Sequence, residues 1–509
     1  METRPVAVLE IGSTCIRLLI AEIAGGEWRV LDWAGKPVAL GRDVFTSGRV
    51  SRESFQECIA ALKNYRELLG GWGISPREAR VIATSALRAA RNRDVFADRL
   101  LRETGFSLLI LEGIEENRLM YLAVRHALKS DLPQFWRANS MIIEAGGGST
   151  EIMLLRRGKM VAAHSLRLGT ILFDQQYRQI LGSVRSQERY LNENVRNTSE
   201  LLNVEMDLSH IRTLVMAGSD ARIAANHAGR ELNEYCWTVE REDFIRFVER
   251  VRNYSIEDCV QKLQIPYVEA EGFIPGILVY RLFLDRTAAA RIVVPNVSIR
   301  EGLLIDLALG VDPELQEDFF SQITASAVNL GRKYHFDEEH NRHVADLCLA
   351  LFDALIRDHG MNRRERMMLE TAAILHDIGM FIRGSGHHKH GQYIVFNSEI
   401  FGLQREELDI IANVIRYHRG EPPAPADIEY IALQREERML VLKMAALLRV
   451  ADALDRGHSQ RIKGIRVERR AETVVLCTGE TYDLSLEKMG LEEKGDLFQD
   501  VFGYKIILG

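Results

Sequence analysis

The chain has 509 residues, of which 47% are hydrophobic and 27% charged, and this balance excludes a disordered or collagen-like protein. At about 150 residues per domain, the length predicts three to four domains. The net charge of -7 argues against a nucleic-acid-binding protein with a global basic face, so any polyanionic ligand must be held by local groups.

The sequence predicts a cytoplasmic protein with reduced thiols. Its six cysteines are scattered and form no CxxC pair, so neither a disulfide framework nor a cysteine zinc site is expected. The N-terminal apolar stretch is interrupted by Glu10, Arg17 and Glu22, which is not the pattern of a secretory signal peptide. No apolar run approaches the roughly 20 residues of a membrane span, so we expect no membrane partner.

The N-terminal segment is predicted to be a β-hairpin with a phosphate-sized turn. Two β-type runs, Val6–Leu9 and Ile16–Ile23, flank a turn of Gly12, Ser13 and Thr14. Glycine turns expose backbone N–H groups and let phosphate oxygens approach the main chain, and the two hydroxyls add donors.

The same arrangement recurs near residue 145. A strand, Met141–Glu144, leads into a second small polar loop and then into the strand Glu151–Leu155; the loop contains Gly146, Gly147, Gly148, Ser149 and Thr150. For one such loop alone an ordinary hairpin turn is the simpler interpretation. Two loops, each preceded by a carboxylate, favour two related lobes that face each other across a phosphate-binding cleft.

Three glutamates, Glu10, Glu144 and Glu151, lie in otherwise apolar strands, where an unpaired charge is costly. The functional interpretation is a set of oxygen ligands for a divalent cation that bridges substrate phosphates. The alternative is a set of ion-paired or solvated carboxylates.

Helices and strands alternate between the two loops, which predicts α/β layers. The expected helices are Ser51–Leu69, Asp94–Thr104 and Glu115–Leu128, and the expected strands are Arg80–Ala83 and Ser107–Leu111. A further strand and turn, Thr213–Ser219, precedes another helix. Arg88 follows a strand end, where α/β sheets usually bind ligands, and its guanidinium could hold phosphoryl oxygens.

From about Pro313 the pattern becomes helical and then, past His458, mixed. The expected helices are His343–Asp358, Arg363–His376, Glu406–Tyr417 and Glu437–Leu454. Strands at Gly464–Glu468, Thr473–Thr478 and Tyr504–Leu508, with a charged helix before the last one, predict a small α+β cap.

Five ordered motifs resemble the exopolyphosphatase and guanosine pentaphosphate phosphohydrolase family of the actin-like ATPase superfamily. They are Glu10-Ile11-Gly12-Ser13, Ala83-Thr84-Ser85-Ala86-Leu87-Arg88, Glu115-Glu116-Asn117-Arg118, Gly146-Gly147-Gly148-Ser149-Thr150-Glu151 and Ser298-Ile299-Arg300-Glu301-Gly302. The resemblance implies an α/β protein with two actin-like (ribonuclease H-like) lobes, 1–130 and 131–312, a helical HD-type domain, 313–460, and a small α+β domain, 461–509. It also implies a homodimer.

The resemblance implies release of terminal phosphate from inorganic polyphosphate, or of the 5'-γ-phosphate of guanosine pentaphosphate. Glu116 would orient or deprotonate the attacking water, and Arg88 and Arg300 would contact phosphate. Glu10, Glu144 and Glu151 would hold Mg2+, or Mn2+ in its place. Such positioning and charge neutralisation is what phosphoryl transfer requires.

The chain departs from the family pattern in the cleft. Glu10 and Glu144 stand where aspartate is usual, each one methylene longer, and Mg2+ demands near-ideal octahedral geometry. Asn117 stands where a small residue is usual, and Ala217-Gly218-Ser219-Asp220 replaces the common SGT loop.

Ten of the 14 histidines lie after residue 330. Among them, His343, His376 with Asp377, and Asp452 stand in the order of an HD metal site, whose imidazole and carboxylate ligands suit Mn, Fe, Ni or Zn. A further set could bind a second ion or phosphate; it contains His387, His388, His390 and His418. The alternative is that these side chains only form hydrogen bonds inside a helical bundle.

Three functional hypotheses follow. The first is a polyphosphate or guanosine pentaphosphate hydrolase acting in the cleft, which Glu116, Glu151 and Arg88 favour. The second is an HD phosphohydrolase whose actin-like half only binds ligand, and the third is a non-catalytic phosphate-chain sensor; Glu10 and Glu144 favour these two. A sugar kinase on the same fold is disfavoured by the Glu115–Arg118 segment.

Overall fold

The computed structural model describes residues 4–24, 27–128, 135–173, 184–233, 235–309, 313–470, 472–479 and 483–509. The chain divides into two units, Met1–Asp318 and Phe319–Gly509. Residues 130, 131 and 312, at two of the predicted domain boundaries, lie outside the described residues, and the four-domain division stays a prediction.

The first sheet of the first unit contains the predicted N-terminal hairpin. Its strands are β1 (Arg4–Ile11), β2 (Cys15–Ala24), β3 (Glu27–Pro37), β4 (Arg80–Ala83) and β5 (Leu108–Ile110), in the spatial order β3-β2-β1-β4-β5. The pairs β1–β2 and β2–β3 are antiparallel, whereas β4 runs parallel to β1 and β5 runs parallel to β4. We call this sheet and the helices around it lobe I.

The second sheet repeats this plan, as the two loops predicted. Its strands are β6 (Asn139–Ala145), β7 (Thr150–Arg156), β8 (Lys159–Leu166), β9 (Thr213–Ala217), β10 (Arg230–Asn233), β11 (Cys236–Glu240) and β12 (Arg291–Pro295). The run β8-β7-β6 is antiparallel, and β9 and β12 then continue in parallel. The pair β11 and β10 extends the far edge, and we call this half lobe II.

Each sheet packs against helices in its own hydrophobic core. Their bounds in the first unit are α1 (Leu40–Ser47), α2 (Arg52–Gly71), α3 (Ser85–Ala89), α4 (Arg93–Thr104), α5 (Gly113–Leu128), α6 (Val184–Glu205), α7 (Ser219–Ala228), α8 (Arg241–Val251), α9 (Ile256–Leu263), α10 (Tyr267–Leu284) and α11 (Ile299–Leu309). Ser51 caps α2 by accepting a hydrogen bond from the Ser54 N–H, which explains why the predicted helix starts there.

The last helix of lobe II returns to lobe I. Leu304 of α11 is buried in a small cluster with Val8, Leu19 and Ala21 on the first sheet. The Asp306 carboxylate on the same helix accepts a 3.0 Å hydrogen bond from Arg118 Nη2 on α5. The two lobes are therefore connected at the cleft by a helix as well as by the chain between them.

The second unit is helical with a small sheet, as predicted. Helix α12 (Pro313–Lys333) begins in the first unit and continues into the second. The other helices of the second unit are α13 (Glu338–Ala354), α14 (Ile356–His359), α15 (Arg363–Leu375), α16 (His387–Phe396), α17 (Arg405–Tyr417), α18 (Ile428–Ile431), α19 (Arg435–Ala453), α20 (Ser485–Lys494) and α21 (Asp496–Phe502). The sheet has the order β13 (Arg466–Arg469), β14 (Thr473–Cys477) and β15 (Lys505–Leu508). None of the helices in the described ranges is both long enough and apolar enough to cross a membrane.

Candidate functional site

The two glycine loops meet face to face. Each hairpin is closed in the same way: Gly12 N–H donates to the Cys15 carbonyl at 3.0 Å, and Gly146 N–H donates to the Ser149 carbonyl at 2.8 Å. A Cβ added to Gly147 would lie 2.8 Å from Ser13 Cβ. Only glycine at position 147 allows the two loops to approach this closely.

A polar cavity of about 120 Å³ lies between the lobes at these loops. The structure brings most of the predicted cleft residues to its lining: Glu10, Gly12, Ser13, Thr14, Glu116, Glu144, Gly146, Gly147, Ser149, Glu151 and Arg300. Thr150 does not line it, because its side chain is buried on the opposite side of the strand and its hydroxyl donates to the Leu168 carbonyl.

Arg88 and Gly148 line an adjacent cavity of about 590 Å³. The two cavities share Ser85 and Ser149 in their linings, so they are neighbours. Two further cations, Arg91 and Arg167, line the larger one.

Glu116 lies in the first turns of α5 and is ion-paired with Arg88 of α3. Nη1 of Arg88 also donates a 2.6 Å hydrogen bond to the Leu111 carbonyl, which fixes the guanidinium beside the carboxylate. Burial raises the pKa of Glu116 to about 7 although Arg88 opposes the shift. A carboxylate with this pKa accepts a proton readily near neutral pH.

Glu10 is held between two arginines. Its carboxylate lies 3.2 Å from Arg300 Nε and 3.9 Å from Nη1 of Arg17, which is its partner across the β1–β2 hairpin. Arg17 also lies 3.7 Å from the Glu269 carboxylate of α10. Arg300 thus reaches the cleft from α11, as the sequence motif predicts, and its contact there is Glu10.

Glu151 accepts hydrogen bonds from three side chains. Ser149 Oγ and Ser165 Oγ each lie 2.8 Å from Oε1, and Nδ2 of Asn117 lies 3.0 Å from Oε2. Asn117, an unusual residue in the α5 motif, therefore orients a cleft carboxylate. The role of Ser165 could not be predicted, since β8 carries no motif at this position.

Glu144 lies directly opposite Glu151 in the β6–β7 ladder. Burial and the negative charges of Glu116 and Glu10 raise the pKa of Glu144 to about 8. Burial and Glu116 also raise the pKa of Glu151 well above its usual value. Like charges opposite each other on one sheet face destabilise the ladder, so either protons or a cation must compensate them.

The cleft carboxylates fit a divalent cation by atom type. Glu10, Glu144 and Glu151 supply only oxygen, the atom type that Mg2+ and Mn2+ prefer. No side chain among the described residues donates a hydrogen bond to the Glu144 carboxylate. The groups of mutually close ligand atoms found in the described residues all lie in the second unit, so these three carboxylates would have to move toward one another to share one cation.

The cleft also contains residues that motif reading did not identify. Asp220 and Arg222 of α7, together with Glu269, line the cavity. Burial and the charge of Glu269 raise the pKa of Asp220 well above its usual value. The segment Ala217-Gly218-Ser219-Asp220, which differs from the usual family loop, was the sequence feature that could have identified Asp220 as a cleft residue.

Five histidines and two aspartates of the second unit form a cluster; they are His340, His376, His387, His418, His458, Asp377 and Asp452. Close groups of potential ligand atoms are formed by His340, His376 and Asp452, by His340, Asp377 and His458, and by His376, Asp377 and His418. The prediction of His343 is corrected: His340, one turn earlier on α13, occupies the cluster, and the half-buried His343 belongs to none of the groups found in the described ranges. The helix turns the His340 ring inward, where it is fully buried.

Of the other predicted histidines, some belong to the cluster and some lie outside it. His387 joins the cluster at 3.0 Å from Asp377 Oδ1, and its Nε2 lies 3.3 Å from that of His418. His388 and His390 lie on the same helix, α16, and are half-buried outside the groups found in the described residues.

Two family descriptions match the chain: the Ppx/GppA phosphatase family over residues 19–310, and domain III of the Ppx/GppA phosphatases over residues 324–500. A guanosine-5'-triphosphate,3'-diphosphate pyrophosphatase of Pseudoalteromonas atlantica is 24% identical over 456 residues, which are 87% of this chain and 86% of that protein. One of Aliivibrio fischeri is 21% identical over 451 residues, with the same two shares.

Two solved structures are similar in fold. The Ppx/GppA family member of Aquifex aeolicus matches with a TM-score of 0.50 and 23% identity, over 61% of this chain and 99% of that chain. An exopolyphosphatase of Cytophaga hutchinsonii matches with a TM-score of 0.55 and 18% identity, over the same shares. These similarities confirm the two α/β actin-like lobes; the HD-type assignment and the separate cap domain stay predictions.

Proposed function

The chain belongs to the Ppx/GppA phosphatase family, and we propose that it releases the terminal phosphate of a linear phosphoanhydride in the cleft between its lobes. The substrate is inorganic polyphosphate or guanosine pentaphosphate. The observation that carries this proposal is Glu116, a buried carboxylate with a pKa of about 7 that faces two N–H-rich loops and three further carboxylates.

Glu116 acts as the general base. It takes a proton from water while the water oxygen bonds to the terminal phosphorus, and the bond from phosphorus to the bridging oxygen breaks to release the shortened chain. Arg88 keeps the carboxylate in place and lowers its pKa from the value that burial alone would give. Asn117, Ser149 and Ser165 hold Glu151 in a fixed orientation.

The loops bind the phosphoryl group that is transferred. The loop residues Gly12, Ser13, Thr14, Gly146, Gly147 and Ser149 line the small cavity, and since the Gly12 and Gly146 N–H groups close their own hairpins, the other N–H groups and the hydroxyls of these loops are the phosphate donors. A divalent cation held by Glu10, Glu144 and Glu151 would neutralise charge on the phosphates as the bond breaks.

The neighbouring cavity accommodates the rest of the substrate. It is lined by Arg88, Arg91 and Arg167 and begins where the small cavity ends, at Ser85 and Ser149. Cationic side chains beyond the reacting phosphate favour a substrate with several phosphates over a phosphate monoester. A substrate with several phosphates agrees with the names of two similar proteins, a guanosine-5'-triphosphate,3'-diphosphate pyrophosphatase and an exopolyphosphatase.

The test is phosphate release from both substrates by wild type and by Glu116→Gln, with Mg2+, with Mn2+ and without metal. We expect metal-dependent release, and a loss of at least about a hundredfold in the variant with substrate binding nearly unchanged, because an amide keeps the shape and cannot accept the proton. Glu53→Gln is the matched control, since Glu53 is an exposed residue of α2 outside both cavity linings.

Each contrary result has its own meaning. Wild-type turnover in Glu116→Gln would remove Glu116 from the mechanism. Binding of both substrates without turnover in any metal would favour the sensor hypothesis. The homodimer, the absence of a nucleic-acid partner and the cytoplasmic location stay predictions.

A further inference from the structure

The cluster in the second unit contains buried nitrogen lone pairs without partners. Nδ1 of His376 and His418 each faces a carbonyl oxygen of its own helix, at 2.8 and 2.7 Å. A carbonyl oxygen can only accept, so both rings carry their proton on Nδ1 and turn a lone pair on Nε2 toward the cluster. Nε2 of His376 and of His340 are buried with no hydrogen-bond partner among the described residues.

These nitrogens face carboxylate oxygens rather than donors. Nε2 of His376 lies 3.7 Å from Asp377 Oδ2 and 3.9 Å from Asp452 Oδ1, and Nε2 of His340 lies 4.0 and 3.9 Å from the same two atoms. Atoms that each bind one ion at about 2.0–2.2 Å lie roughly 3–4 Å from one another. His340, His376 and Asp452 therefore bring three potential ligand atoms around one point, and the Asp377 carboxylate contacts both histidines beside it.

Asp377 has a second set of neighbours on its other oxygen. Oδ1 lies 3.0 Å from His387 Nε2 and 3.9 Å from His418 Nε2. Nδ1 of His387 is 2.9 Å from the Gly384 carbonyl, which again directs Nε2 into the cluster. One carboxylate thus separates two imidazole sets, the geometry of a carboxylate that bridges two ions.

Outer groups orient the ligands and place positive charge nearby. Nδ1 of His340 lies 2.8 Å from Asp455, a carboxylate behind the ring of the kind that fixes metal-bound histidines. Lys494 of α20 is ion-paired with Asp452. The charges of Lys389, Arg416 and Arg419 act on His388, beside His387. Positive charge therefore lies at the edge of the cluster, beside its carboxylates.

We propose that the second unit holds a two-metal centre with Asp377 as the bridging ligand, His340, His376 and Asp452 on one ion and His387 and His418 on the other, and that it binds phosphate-class anions. The mixed imidazole and carboxylate set suits Mn, Fe, Co or Zn and differs from the oxygen-only cleft. Paired ions about 3.5–4 Å apart are an arrangement that clamps phosphoryl oxygens.

Cobalt binding to the metal-stripped full chain tests this proposal. Direct metal analysis should give two more equivalents of Co2+ in wild type than in Asp377→Asn, whose amide keeps the volume and removes the bridging charge. His387→Ala with His418→Ala should lose about one equivalent. His343→Ala is the matched control and should retain both, because this histidine of α13 lies outside the cluster.

Spectroscopy separates this centre from the cleft. Co2+ bound by imidazoles in the cluster should give an absorption band that Asp377→Asn removes and that inorganic phosphate shifts. Circular dichroism of each variant checks the fold, and the His387/His418 variant gives an independent result if Asp377→Asn is unstable. Equal Co2+ content in wild type and both cluster variants would overturn the site, a loss of one equivalent in Asp377→Asn would overturn the bridge, and a band insensitive to phosphate would overturn the ligand class.

Discussion

Glu116 shows how one carboxylate can be adjusted for catalysis by two opposing effects. Burial raises its pKa, the Arg88 charge lowers it, and the balance is a value of about 7. Only the deprotonated form accepts a proton from water, so kcat/KM for phosphate release should rise about tenfold per pH unit below 7 and level off above it.

Initial rates between pH 5 and 9 check this prediction. Arg88→Gln should move the rising limb to higher pH, because it removes the charge that favours the ionised carboxylate. A wild-type rate independent of pH over this range would contradict the assignment of Glu116 as the base.

Glu10 illustrates what sequence reasoning could and could not provide. Its position before a glycine loop predicted a cleft carboxylate, and its extra methylene raised doubt about metal geometry. The structure shows that its carboxylate lies between Arg17 and Arg300, one from the facing strand and one from α11. The second contact joins residues 290 positions apart in sequence, and no local pattern reveals such a pairing.

At the scale of elements, the hairpin repeat was the most informative pattern. It correctly predicted two sheets of the same plan and placed most loop residues at the cleft, because strand alternation and glycine turns are local properties. Helix α13, which carries His340 and His343, shows what local patterns cannot predict. His340 and His343 are both within one turn of α13, and only the packing of neighbouring helices decides which ring turns inward.

The contact between the two loops leads to a prediction for Gly147. In Gly147→Ala the added Cβ would lie 2.8 Å from Ser13 Cβ, closer than such atoms approach. We expect the loops to separate and kcat/KM for phosphate release to fall about a hundredfold, since displacement of positioning groups by about 1 Å has an effect of this size.

Gly70→Ala is the control, because a Cβ there meets no atom within 4 Å. Kinetics and thermal unfolding should be measured together. A Gly147→Ala variant with wild-type kcat/KM would show that the loops need not touch during turnover.

At the scale of the whole molecule, the buried glutamates make stability dependent on pH. Glu116 and Glu144 have pKa values of about 7 and about 8 in the folded chain, above the ordinary 4.5. The folded state therefore holds protons that the unfolded state has released. Their contribution to the free energy of unfolding is largest below pH 4.5, where both states are protonated. It falls as the pH rises above 4.5 and is lost once the pH has passed the folded-state pKa values of about 7 and about 8.

Without divalent cations, the Tm of the first unit should fall between pH 5 and 8.5, and Mg2+ should restore it at the upper end. Calorimetry on wild type and on Glu116→Gln with Glu144→Gln checks this, since the double variant should show a shallower decline. A wild-type Tm that stays constant or rises over this range would contradict the burial of these two groups as neutral acids.

The return of α11 to lobe I has a consequence for biosynthesis. During translation the first sheet emerges early, but its Val8, Leu19 and Ala21 face is covered only when Leu304 has been made, and Glu10 meets Arg300 at the same stage. A nascent chain that ends before about residue 310 exposes this apolar face and has an incomplete cleft. The ribosome must therefore release nearly the whole first unit before the cleft is complete, and until then the nascent lobe I exposes an apolar surface that is prone to aggregation.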